Sequence, residues 1–215
     1  MNVDNFKVKA VIFLIGQWLM AYYCFAAIDT IRSETGMMTT LSQQTVELRA
    51  YIADFEEALD YLSTHALFKS EYAFTDYIYE PQEHVYDLNR EFVRLRAYQK
   101  TAWDQKLFVL SYKFKLYPML SGVTRFKKEC DSFDEANNLL GRYRLLFTFK
   151  RTGYEFELDG LRIFLENIEG LPPSVEVLAS SKEEIEQLFT KIGMTQILTD
   201  SVPKLIEKQA AHSKE

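Results

Sequence analysis

A chain of 215 residues suits one domain with a single core and leaves room for an appendage. It is 47% hydrophobic and 26% charged, as globular proteins are, and 14% aromatic residues, mostly Phe and Tyr, favour sheet over helical bundle. A formal charge of -6 offers no net field to a nucleic-acid backbone, so nucleic acid is not an expected partner, and any phosphate site must be a local concentration of Arg and Lys.

Residues 10–28 carry no charged side chain and approach the roughly 20 residues a helix needs to cross a bilayer. Lys7 and Lys9 precede them. The stretch reads as an N-terminal hydrophobic helix serving as a membrane anchor, as a signal peptide, or as an extension upstream of a true start at Met37 or Met38. All three stay open. The expected division is residues 1–40 as this segment, 43–208 as the folded domain and 209–215 as a tail.

From residue 45 the chain runs twice through one plan of strand, helix and three strands. The first pass is a strand over 45–52, a helix, and strands around 71–79, 91–98 and 106–115. The second is a strand over 124–130, a helix, and strands around 144–157, 161–168 and 174–179. Asp54-x-x-Glu57, Ser132-x-x-Glu135 and Ser181-x-x-Glu184 are capping boxes, in which side chains satisfy the free N–H groups of a helix start. Phe55, Ala58, Leu59 and Leu62 share one face of the first helix, which is expected to pack on the outside of the sheet. Asp159-Gly160 signals a tight hairpin, Gly193 ends the helix opened by Ser181, and Ser201 caps a last helix with Pro203 in its first turn. The plan predicts an α+β fold: a closed antiparallel eight-stranded β-barrel with flanking helices, whose lumen can hold a small ligand.

Alternate strand residues share a face. Glu47 goes with Arg49, Arg94 with Arg96, and Ser111 with Lys113 and Lys115. Arg125 goes with Lys127 and Glu129, and Arg162 with Phe164 and Glu166. Aliphatic residues such as Leu48, Val93 and Leu95 take the opposite faces. An ordinary solvent-facing sheet satisfies this pattern, and so does a polar lumen with an apolar coat. Its recurrence over five strands, with bases and acids together, favours the lumen. Guanidiniums grip phosphate oxygens in pairs and lysine adds a point charge. The carboxylates of Glu47, Glu166 and Glu176 suit Mg²⁺ or Mn²⁺, hard cations that bridge phosphates. Cys24 and Cys130 have neither disulfide nor zinc spacing, and His65, His84 and His212 are scattered. There is no Ser-His-Asp arrangement and no Walker-type glycine loop.

Over residues 43–208 these motifs resemble the CYTH superfamily, the triphosphate tunnel metalloenzymes, and most closely its class IV adenylate cyclases and thiamine triphosphatases. Glu47 and Arg49 stand in the opening Glu-x-Glu-x-Lys motif, with Thr45 at the first acid. Asp76 through Tyr79, Arg94-Leu-Arg96, Lys113, and Arg125 through Glu129 fall on successive family strands. Lys150, Arg151 and Tyr154 match Lys-x-Arg-x-x-Tyr with the lysine displaced by one. Residues 160–177 are similar to a class IV cyclase segment, with Phe164 for a histidine, Glu166 for an aspartate, Pro172 for a glycine, Ser174 for an aromatic and, just beyond, Leu178 for a glutamate.

The resemblance implies a triphosphate bound by Arg49, Arg94, Arg96, Lys113, Arg125, Lys150 and Arg151, and Mg²⁺ or Mn²⁺ held by Glu47, Glu129, Glu166 and Glu176. The implied reaction is cyclisation of ATP to cyclic AMP and pyrophosphate, or hydrolysis of a triphosphate. The partner would be a nucleoside triphosphate, thiamine triphosphate or inorganic polyphosphate. A degenerate tunnel that binds without turnover is the alternative. The cytoplasm is the expected compartment, with membrane attachment through residues 10–28 as the other reading, and a homodimer is left open.

Overall fold

Period-two alternation of polar and apolar side chains builds nine strands among the described residues, which are 46–100, 107–114 and 123–212 of this computed structural model. The chain divides into two compact units, Met1–Gln43 and Gln44–Glu215, and the described residues all belong to the second. Residues 10–28, Thr45 and Lys115 lie outside them. Among the described residues no helix is long and apolar enough to cross a membrane.

The order is β1 (Val46–Ile52), α1 (Phe55–His65), β2 (Leu67–Pro81), β3 (Glu91–Lys100), β4 (Leu107–Phe114), β5 (Val123–Cys130) and α2 (Phe133–Leu139). There follow β6 (Tyr143–Leu158), β7 (Leu161–Ile168), β8 (Ser174–Ala179), α3 (Lys182–Lys191), β9 (Met194–Leu198) and α4 (Val202–His212). α4 thus runs past residue 208, the expected end of the domain, to His212. The strands form one antiparallel sheet in the order β5-β4-β3-β2-β6-β7-β8-β1-β9.

The α+β class stands, and the closed eight-stranded barrel is corrected. Hydrogen bonding among the described residues leaves β5 and β9 as the two edges. The reason lies after Gly193, whose φ of 69° turns the chain out of α3 into β9, and β9 pairs with the free side of β1. The sheet still curls on itself. Lys113 on β4 feels the charges of Glu47 on β1 and Glu176 on β8, although most of the sheet separates these strands in hydrogen-bonding order.

The outer face of the curl is apolar and covered by helices. Leu48, Ala50 and Ile52 of β1 join Ile163 and Leu165 of β7 and Val175 and Val177 of β8 in one core, against Ala58 and Leu62 of α1 and Ile185, Leu188 and Phe189 of α3. Phe55 and Leu59 pack at its margin, so the expected face of α1 is the buried one. Leu95 and Leu110 form a second core with Ala136 and Leu140 around α2, whereas the third cluster, Ile78 and Phe149 with Val202 of α4, lies on the inner face. Each fully buried aliphatic side chain here contributes on the order of 1.5–3 kcal/mol, which fixes which face of each strand turns inward.

Local signals set the helix starts. Asp54 accepts from the N–H groups of Glu56 and Glu57, Ser132 from that of Glu135, and Ser181 with Glu184 makes the full reciprocal box. Asp159 and Gly160 both take positive φ, 50° and 83°, in the two-residue turn that joins β6 to β7.

Candidate functional site

The inner face of the curl encloses a cavity of about 760 Å³. Period two explains its lining: Glu47 and Arg49 from β1, Tyr72, Phe74 and Asp76 from β2, Phe92, Arg94, Arg96 and Tyr98 from β3, and Lys113 from β4. Phe149 and Arg151 of β6, Arg162, Phe164 and Glu166 of β7, and Glu176 and Leu178 of β8 complete the wall. Eight Arg or Lys and six Asp or Glu side chains line it, a local excess of positive charge in a chain whose net charge is -6. For these strands the charges face a lumen rather than an ordinary outer surface.

Two charge clusters divide the wall. In the first, the buried carboxylate of Asp76 lies directly across the strand pairing from Arg96. Arg96 grips it with both prongs, Nε to Oδ1 at 2.8 Å and Nη2 to Oδ2 at 2.9 Å, and stacks on Phe74 with its guanidinium carbon 3.5 Å from the ring centre. Arg151 Nη2 lies 3.4 Å from Asp76 Oδ2 and Arg94 Nε 3.9 Å from Oδ1. One carboxylate therefore serves three guanidiniums. Burial opposes its charge, but Arg96 and Arg94 outweigh burial and hold it well below the ordinary carboxylate range. Arg96 gains from its bidentate pair and Arg151 also reaches Glu166, so Arg94 is the under-compensated cation. Burial and the neighbouring Arg96 push Arg94 down to about 10. The buried Nε atoms of Arg94 and Arg151 have no hydrogen-bond partner among the described residues. Lys113 donates to Thr124 Oγ1 at 2.7 Å, and burial with Arg94 and Arg96 lowers it to about 8.

In the second cluster, Arg49 sits between two carboxylates. Its Nη1 donates to Glu166 Oε2 at 2.5 Å and to Ser174 Oγ at 3.0 Å, and its Nη2 donates to Glu176. Glu166 also receives the Tyr72 hydroxyl on Oε1 at 2.9 Å and Arg151 Nη1 at 3.2 Å and 3.3 Å on its two oxygens. Burial resists the charge on Glu166, yet Arg151 and Arg49 bring it down to about 2. Gly153 makes this reach possible. It pairs with Tyr72 on one side and Glu166 on the other, and a Cβ there would stand 3.0 Å from the Tyr72 hydroxyl and 2.4 Å from the Leu165 carbonyl.

The structure thus brings together Glu47, Arg49, Arg94, Arg96, Lys113, Arg151, Glu166 and Glu176. It does not bring in Lys150 or Glu129. Lys150 is exposed because alternation puts it on the face opposite to Phe149 and Arg151. Glu129, like Lys127, is exposed on the edge strand β5, where no further strand lies across from it. Arg125 lies on β5, but its side chain lies outside the described residues. Three contributors were missed: Asp76, Tyr72 and Ser174. The alternation of 72, 74 and 76 on one strand face was the signal for the first two, and nothing local marked the serine.

The acids do not fit the expected metal. Among the described residues no three His, Cys, Asp or Glu side chains are grouped to hold an ion, and the guanidinium of Arg49 bridges two of the carboxylates meant to do so.

No protein-family model matches the chain, and no curated protein matches it. Solved structures do. The PH1819 protein from Pyrococcus horikoshii OT3 matches with a TM-score of 0.66 at 19% identity, over 77% of this chain and 99% of that one. A protein from Vibrio parahaemolyticus described as a "putative adenylate cyclase" matches with a TM-score of 0.58 at 14% identity, over 77% and 98%. One so described from Bacillus halodurans matches with a TM-score of 0.52 at 13% identity, over 74% and 94%. The chain shares their fold. At these identities the likeness concerns architecture alone.

Proposed function

We propose that the cavity binds a triphosphate group, carried by a nucleotide, by thiamine or by inorganic polyphosphate. The observation that carries this reading is the three-to-one gathering of Arg94, Arg96 and Arg151 on Asp76, with two buried guanidinium Nε atoms lacking partners among the described residues. A buried N–H without a partner costs about 1–3 kcal/mol, and a polyanion relieves both that cost and the repulsion between the arginines. Arg94, Arg151 and Lys113 are the contacts expected for phosphate oxygens, while Arg96 is held by Asp76. A cavity near 760 Å³ is large enough for a nucleoside triphosphate, and Phe164 and Tyr98 offer apolar wall to an organic portion.

Turnover is the second reading, as cyclisation of ATP or as hydrolysis, favoured by Glu47, Glu166 and Glu176 lining the same cavity as the bases. Metal dependence through Mg²⁺ or Mn²⁺ gains less support, because Arg49 is bonded to Glu166 and Glu176. Calorimetry of the full chain with tripolyphosphate and with ATP tests binding, and assays for cyclic AMP, pyrophosphate and phosphate test turnover. Absence of heat with both ligands would refute the triphosphate reading.

A further inference from the structure

We propose that Arg49 is the resident cation of the acidic side of this cavity, so that the site takes its polyanion without a divalent metal. This rests on the triphosphate reading for the ligand, but its argument comes from the opposite wall. Strand register builds the arrangement: Arg49 stands across from Glu176, and Ser174, two residues before Glu176, stands across from Glu166. The guanidinium is thereby delivered between carboxylates from two different strands. Its two Nη groups part, one to Glu166 and Ser174 and the other to Glu176. A planar fork makes this bridge, whereas the point charge of a lysine has no such rigid pair of prongs.

Glu166 has little left to offer a metal. Its two oxygens receive Arg49, Arg151 and the Tyr72 hydroxyl, which together account for the roughly four acceptor positions of a carboxylate. An ion on Glu166 would have to displace these donors and deprive two buried guanidiniums of one of their two carboxylate partners, while adding positive charge beside them.

The test uses the full chain. Mn²⁺ is added alone and its free six-line electron paramagnetic resonance signal is followed, while calorimetry with tripolyphosphate is run in EDTA. The expected result is an undiminished Mn²⁺ signal with wild type and tripolyphosphate binding that persists in EDTA. Arg49→Gln, which removes the guanidinium from between Glu176 and Glu166 and takes one donor off Glu166, is expected to gain Mn²⁺ uptake and lose signal. Stoichiometric Mn²⁺ uptake by wild type would overturn the proposal, and so would tripolyphosphate binding that vanishes in EDTA and returns with Mn²⁺. A folded Arg49→Gln protein that takes up no Mn²⁺ would also overturn it, and if that variant does not fold, the wild-type arms decide. Lack of tripolyphosphate binding in both buffers would instead refute the triphosphate reading, with the Mn²⁺ arm still deciding the role of Arg49.

Discussion

Arg94 and Arg96 occupy equivalent strand positions and are expected to behave differently when removed. Arg94 reaches Asp76 only at 3.9 Å and keeps a buried Nε without a partner among the described residues, so Arg94→Ala should cost mainly affinity. Loss of a charge-assisted phosphate contact predicts tripolyphosphate binding weaker by about 1.5–3 kcal/mol in calorimetry. Arg96 holds Asp76 with both prongs, so Arg96→Ala should lower unfolding stability by about 3 kcal/mol in urea. That figure is the low end for a broken buried pair, because Arg151 and Arg94 still face the carboxylate. The sequence shows both arginines on one face but not which has a partner. That depends on Asp76, which only the β2–β3 register sets opposite Arg96. Lys113 gives a pH test. Burial, Arg94 and Arg96 lower it from 10.5 to about 8, so it loses its charge as pH rises through 8. Affinity should fall across that point in wild type, and the fall should be smaller in Lys113→Gln, a comparison that cancels the ligand's own titration. The stability sign is opposite. Between about 8 and 10.5 the unfolded chain keeps the proton that the folded one has released, so this residue's contribution to stability rises with pH there.

At the scale of elements, the charged and apolar faces of β1, β3 and β7 were legible because period two is local and each face has one destination. The helix starts were legible for the same reason, as Asp54, Ser132 and Ser181 act within three residues. β9 was not. It has five residues, its polar Thr195 and Gln196 are both exposed, and it is a strand only because β1 has a free side to pair with. Closure was misread for a related cause, since which strands end as edges depends on pairings across more than a hundred residues. Gly153 is where elements and site meet. Gly153→Ala would drive a Cβ to 2.4 Å from the Leu165 carbonyl and crowd the Tyr72 hydroxyl. The β6–β7 pair must spread, and urea unfolding should show a loss of about 1–3 kcal/mol. Unchanged stability would mean that the close approach of Tyr72 to Glu166 is not built on this glycine.

For the whole molecule, a chain of net charge -6 concentrates basic side chains on the inside of one curled sheet and leaves much of its acid outside. No composition figure carries that segregation. It arises because alternation along seven strands is folded inward together, with helices covering the apolar side. The tripolyphosphate-bound crystal structure tests this account most directly. The expected result is phosphate oxygens within hydrogen-bond distance of Arg94 Nε, Arg151 Nε and Lys113 Nζ, with Arg49 still bridging Glu166 and Glu176. Phosphate found only outside the cavity, or bound inside it through a metal ion seated on Glu166 and Glu176 with Arg49 displaced, would contradict it.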